Sequence, residues 1–193
     1  STEGYFGRVN YSYDDKYIGN VAVRRDASSR FSKDNRWGTF WSGSAAWIIT
    51  KEDFMQNLTW LNLLKLKASF GQQGNDAIGN YYAYLDQYSM VGDTSGFSDG
   101  TLAYKGNADL TWETQTSFNV GFDFSMFSNK FTGSVEYFSR KSSDMLYYKP
   151  VAGSLGYTQI PMNIGSMTNS GLEIDLNYNI LNTKDITWDF NVN

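Results

Sequence analysis

The sequence predicts an all-β chain, an antiparallel up-and-down transmembrane β-barrel with about eight strands in these 193 residues. Three observations predict it. Apolar and polar residues alternate over runs longer than a usual strand of about five or six residues, so each strand has one face for an apolar medium. Short and long connections also alternate along the chain, as they do between the two ends of a membrane barrel. Aromatic residues make up 17% of the chain and sit near the strand ends beside the short connections, where an aromatic girdle belongs.

The first strand covers Tyr5 to Tyr13, with Tyr5, Val9, Tyr11 and Tyr13 opposed to Arg8, Asn10 and Ser12. Asp14-Asp15-Lys16 turns the chain into a second strand, where Tyr17, Val21 and Val23 oppose Asn20, Ala22 and Arg24. A polar loop from Arg25 to Gly38 follows, then a third strand over Trp41, Ala45, Trp47 and Ile49. Thr50-Lys51-Glu52-Asp53 reads as a hydroxyl cap with acids in the first turn, so Glu52 to Asn57 is expected to make one or two helical turns. A fourth strand carries Leu64, Leu66, Ala68 and Phe70 against Lys65, Lys67 and Ser69. Gly71 to Leu110 is the longest connection, in which Tyr81 to Leu85 is expected to extend a strand.

The fifth and sixth strands form a hairpin about Ser128-Asn129-Lys130. Phe118, Val120, Phe122, Phe124 and Met126 lead in, and Phe131, Val135 and Tyr137 lead out. Asn119, Asp123, Glu136 and Arg140 occupy the other face. After a loop from Lys141 to Thr168, Leu172, Ile174, Leu176, Tyr178 and Ile180 alternate with Glu173, Asp175, Asn177 and Asn179. A turn over Leu181 to Asp185 leads to an eighth strand with Ile186, Trp188, Phe190 and Val192 on its apolar side. The opposite faces are expected to be polar, small or charged throughout. The pattern enters and leaves in mid-alternation, as expected of a chain that continues beyond both ends.

The composition excludes several chemistries. There is no cysteine and no histidine, hence no disulfide, no thiol nucleophile and none of the commonest general base or metal ligand. A net charge of −4 disfavours nucleic acid. Mean hydropathy is −0.45, and no run approaches the roughly 20 apolar residues of a spanning helix; alternating barrel strands would not produce one. A soluble β-sandwich binding module, or a free-standing eight-stranded barrel that could include an outer-membrane enzyme, would also alternate.

Particular motifs carry a family resemblance. Arg24-Arg25-Asp26-Ala27-Ser28-Ser29-Arg30-Phe31, followed by Asn35-Arg36-Trp37-Gly38-Thr39-Phe40, resembles the RRDGSSRF…NRWGTFPS signature of SusC/RagA-type TonB-dependent transporters of Bacteroidetes outer membranes. Lys67-Ala68-Ser69-Phe70-Gly71 with Gly74-Asn75, Gly106 to Thr114, the hairpin, and Asn163 to Ser166 with Gly171 to Glu173 follow in family order. Ala27, Trp41 and Ala108 replace a Gly and two Pro of the pattern. The resemblance implies that residues 1–193 are part of a plugged receptor barrel of about 22 strands, whose plug, TonB-engaging N-terminal segment and final strands lie outside this sequence. It also implies import of an oligosaccharide or oligopeptide with a SusD-like surface lipoprotein as lid. Energy would come through the TonB complex, and no catalytic role is expected.

Within that frame Arg8, Arg24, Lys65, Lys67, Asp123, Glu136, Arg140, Glu173 and Asp175 are the lumen-lining candidates. The carboxylates among them read as a wet wall rather than a glycosidase pair, since nothing places one in an apolar pocket. Tyr81, Tyr82, Tyr84, Tyr88, Tyr104, Tyr147, Tyr148 and Tyr157 are candidates for ligand or lid contact, because flat rings stack on sugars and keep a polar tip. The alternative for each tyrosine is packing of the loops. The basic loop Arg24 to Arg36 is expected to neutralise itself through Asp26 and Asp34, with lipopolysaccharide phosphate or the plug as other partners. No cofactor is expected; calcium at Asn75-Asp76, Asp93 and Asp99 is the one metal reading, without the spacing of a known cage.

Overall fold

The computed structural model describes residues 1–92, 98–182, 184 and 186–193. Twelve strands are present: β1 (Thr2–Tyr13), β2 (Tyr17–Ser28), β3 (Trp37–Ile48), β4 (Leu61–Asn75), β5 (Gln87–Gly92), β6 (Ser98–Tyr104), β7 (Glu113–Met126), β8 (Phe131–Ser143), β9 (Leu146–Pro150), β10 (Gln159–Asn163), β11 (Ser166–Asn182) and β12 (Thr187–Val192). Eight of them form one antiparallel sheet in the order β1-β2-β3-β4-β7-β8-β11-β12, while β5–β6 and β9–β10 are separate hairpins. Each neighbour in the large sheet follows its predecessor along the chain once the two small hairpins are set aside, which is the up-and-down order. β1 and β12 are its two edges and do not pair with each other among the described residues, so a closed eight-stranded barrel is not what these strands make.

The sheet has one apolar face on which no second layer packs among the described residues. The register aligns Tyr13, Tyr17, Trp47, Leu66, Phe122, Val135 and Ile174 across seven strands. Side chains on this face remain open, with Val21 57%, Leu172 62% and Phe190 58% exposed. That openness removes the sandwich reading, which needs a second sheet on this face. From Met126 to Phe118 the β7 face is uninterrupted; at about 3.4 Å per residue and a strand tilt of about 40°, such a run stands roughly 20–25 Å tall. That is close to the apolar band of a membrane barrel. At the turn end the rings form ladders: Tyr17 stacks on Trp47 at 6.2 Å, and Phe131 bridges Phe124 and Tyr178.

The short turns are built from left-handed residues. Asp14 and Asp15 both have positive φ, with the Lys16 N–H donating to the Tyr13 carbonyl at 3.0 Å, which suits the right-handed twist of the flanking strands. Phe127, Ser128 and Asn129 are all left-handed without a glycine among them. Asn62 of β4 compensates: its Oδ1 accepts the Ser128 N–H at 2.8 Å, and Ser125 and Asn129 share a side-chain hydrogen bond.

Several expectations need correction. Tyr81 to Leu85 makes turns rather than a strand. The Glu52 to Asn57 helix is replaced by two 3-10 turns, Ile49–Lys51 and Asp53–Met55, neither with a side-chain cap. Thr50 instead accepts the Leu64 N–H through its hydroxyl, and Glu52 ties down the Tyr17 hydroxyl and the Trp47 indole. The strands run further toward the loops than their apolar alternation, because the ladder continues into Arg25, Trp37 and Ser166. An irregularity between Asn179 and Leu181 puts Leu181, not Ile180, opposite Trp188. The polar faces are not purely polar: Phe6, Ile18 and Phe138 share the parity of Arg8, Asn20 and Arg140. The expected turn over Leu181 to Asp185 falls partly on Thr183 and Asp185, which lie outside the described residues.

Candidate functional site

Two polar regions are placed by the sheet: its non-apolar face and the loop layer at its open end. On the polar face the Lys67 ammonium lies 2.9 Å from Asp123 and 3.1 Å from Glu136. Lys67 and Glu136 are both Cα partners of Gly121, so the missing side chain leaves the lysine a path across β7. The three groups are partly exposed, which limits the stabilisation to less than about 1 kcal/mol per pair. Glu173 faces Glu136 and Asp175 faces Ser134 in the β8–β11 ladder, both exposed. Lys65 faces Asp123. Arg140 lies over the Phe138 ring at 5.2 Å, and that ring rests where Gly171 has no side chain.

Toward the loop end a pocket of about 580 Å³ opens beside Phe6, Arg8, Arg24, Phe40, Gln72 and Trp112. Arg24 is paired with Asp26, which leaves Arg8 as the cation of that pocket without an ion pair among the described residues. The ring of Phe40 crosses the Gly74 backbone; a Cβ there would sit 2.1 Å from its Cζ. Glycine in the GQQGN stretch is therefore a packing requirement.

The loop layer carries the one buried apolar cluster of the described residues: Phe31, Phe40, Ile78, Ala83, Leu110 and Trp112. Trp112 contacts both Phe31 and Phe40 edgewise or tilted at about 5.5 Å, and its indole donates to the Arg36 carbonyl at 3.0 Å. The signature segments thus meet in space. Asp76 accepts from Ser28 at 2.6 Å and from Arg30 at 3.2 Å, so the basic loop is neutralised by the next loop as well as by Asp26. Asn163 exchanges hydrogen bonds with Thr111, and Asn107 donates to the Pro161 carbonyl at 2.9 Å. These amides join the 71–112 and 144–165 connections.

The tyrosines divide on this scaffold. Arg30 lies 5.0 Å over Tyr81, Tyr148 donates to the Ile78 carbonyl, and Tyr104 meets Tyr148 edge-on. The Tyr104 hydroxyl is buried without a well-aligned partner, and burial pushes its phenol far above the ordinary range. Tyr104 and Tyr148 pack the loops, whereas Tyr81 stays 63% exposed with Arg30 on its ring. Tyr82, Tyr88 and Tyr147 are exposed; Tyr84 and Tyr157 are half-buried. Tyr88 and Tyr157 lie near Lys105, whose ammonium is 2.8 Å from Asp86. The Lys105 ammonium and the Gly106 N–H hold the Asp86 carboxyl below its usual range, so this clamp persists in mild acid and is lost as pH falls through that lowered value. Of the calcium reading, Asp76 is committed to Arg30 and Ser28, and Asp93 lies outside the described residues; no group of three or more carboxylates that could hold a metal occurs among the described residues.

A family model described as TonB dependent receptor-like, beta-barrel matches residues 1–193. The chain belongs to that family. The TonB-dependent receptor SusC of Bacteroides thetaiotaomicron is 38% identical over 98% of this chain and 20% of its own length. TonB-dependent receptor P3 of Formosa agariphila is 36% identical over 95% of this chain and 18% of its own. The RagAB peptide importer in its closed-closed state superposes with a TM-score of 0.88 at 31% identity, covering 98% of this chain and 22% of that one. The SusC/RagA resemblance is therefore correct, and the chain spans about a fifth of the length of these relatives. The family is one of receptors and transporters rather than enzymes.

Proposed function

We propose that the protein containing this chain imports a nutrient, an oligosaccharide or oligopeptide, across the outer membrane with energy supplied through TonB. The superposition on the RagAB peptide importer over 98% of the chain is the observation that carries this reading. The uncovered apolar face supplies the lipid contact, and the polar face supplies the wall of a wet lumen. Arg8, Lys65, Lys67, Asp123, Glu136, Arg140, Glu173 and Asp175 would line it, with Arg24 turned toward Asp26 at its rim. The loop layer is the extracellular end, where a SusD-like lipoprotein would act as lid and where Tyr81, Tyr82, Tyr88, Tyr147 and the half-buried Tyr157 would meet ligand or lid. Plug, TonB-engaging segment and remaining strands would come from the rest of the protein.

Growth of a deletion strain on single glycans and peptides tests the proposal. Loss of growth on at least one, restored by the full-length gene, is the expected result. Unchanged uptake of every candidate by the deletion strain would overturn it.

A further inference from the structure

The apolar face ends at the loop side on cations. Along β2 the outward residues run Tyr17, Gly19, Val21, Val23 and then Arg25; along β8 they run Phe131, Gly133, Val135, Tyr137, Ser139 and then Lys141. Arg25 is held on that face by aromatic neighbours: its guanidinium lies 5.0 Å over Trp37, which stacks on Tyr5 at 6.4 Å. Lys141 stands between Thr116 and Thr168 in the ladder. Both are exposed, and neither makes an ion pair among the described residues. Two other basic residues of the signature loop are differently occupied, Arg24 turning inward to Asp26 and Arg30 to Asp76. Glu3, the outward residue beyond Tyr5, accepts the Tyr5 hydroxyl.

An unpaired outward cation is costly deep in lipid but nearly free at the interface, and there it meets headgroups rather than chains. We propose that Arg25 and Lys141 are contact points for phosphate groups of outer-leaflet lipid, with Tyr5 and Trp37 seating Arg25 at headgroup depth. A guanidinium pre-oriented on an indole loses little freedom when it forks onto a phosphate. This inference rests on the membrane placement proposed above and adds a lipid chemistry to it.

The test is native mass spectrometry of the full-length transporter in neutral detergent. It is titrated with bisphosphorylated lipid A, with its dephosphorylated form, and with inorganic phosphate. The phosphorylated lipid should be retained preferentially. Arg25→Gln with Lys141→Gln should weaken that retention roughly 25-fold, about fivefold for each cation at an anionic surface. Lys141→Arg and the polar-face control Arg8→Gln should leave it intact, and Arg25→Lys, which keeps the charge and loses the fork, should weaken it less than Arg25→Gln. Equal retention by the Gln double variant, no discrimination against dephosphorylated lipid, or displacement by inorganic phosphate would each overturn the proposal. Heat-dependent gel migration reports the barrel separately: an intact barrel in which the unmutated protein shows no preference for the phosphorylated lipid rejects this inference alone, whereas absence of a barrel rejects the membrane reading beneath it.

Discussion

At the scale of single residues, a few side chains hold conformations that their own sequence does not favour. Three consecutive left-handed residues at Phe127 to Asn129 depend on the carboxamide of Asn62, sixty-odd positions earlier. Asn62→Ala should therefore destabilise the folded barrel by about 0.5–1.5 kcal/mol, the net worth of the exposed hydrogen bond that steadies this turn; Asn62→Asp, which keeps the acceptor, should recover most of the loss. Urea unfolding of the full-length protein in lipid vesicles measures both. Gly74→Ala drives a methyl into the Phe40 ring and should cost about 1–3 kcal/mol by overpacking. Phe40→Leu in the same background should restore part of it, because the shorter side chain vacates the space. A Gly74→Ala variant as stable as its parent would show that the ring does not lie across this backbone.

At the scale of elements, the loop layer is a small core of its own, anchored on the sheet through Phe40 of β3. Trp112→Ala removes the ring that joins Phe31 to Phe40 and the donor to Arg36. It should loosen the three long connections together, increasing protease cleavage within 77–110 and 144–165 on intact cells while the strands stay protected. Cleavage confined to one connection would contradict a shared core. The strands of the sheet were legible in sequence because apolar–polar alternation marks each one; Leu172 to Tyr178 reads plainly as a strand. The ends of the strands were not, because beyond the apolar band the ladder continues with residues such as Arg25 and Ser166 that carry no period-two contrast. The small hairpins β5–β6 and β9–β10 were hidden for the same reason: they lie outside the eight-stranded sheet and carry no continuous apolar face. Among the site candidates, the Lys67, Asp123 and Glu136 grouping was foreshadowed by shared parity, but its closing contact depends on Gly121 lying between them. The packing role of Tyr104 and Tyr148 depends on two loops meeting, which no local pattern reports. Phe6 and Phe138 on the polar face were missed because each breaks the alternation from which the faces were read.

At the scale of the whole molecule, the account stands on two faces with two solvents. Ile174 lies in the middle of the apolar band, in line with Val135 and Phe122. Ile174→Arg should cost about 2–4 kcal/mol of unfolding free energy in vesicles, and Asp175→Arg less than about 1 kcal/mol. Equal costs would mean that the two faces meet the same medium. The alternation itself gives the most direct measurement. This chain has no cysteine, so once any cysteines elsewhere in the full-length protein are replaced, single cysteines at 172 to 177 can each carry a spin label in vesicles. Collisions with oxygen and with a water-soluble nickel chelate are then compared position by position. The account predicts a period of two, with Leu172, Ile174 and Leu176 accessible to oxygen and Glu173, Asp175 and Asn177 shielded from it. A flat profile, or one in which the nickel chelate reaches Leu172, Ile174 and Leu176, would contradict the claim that this face lies in lipid.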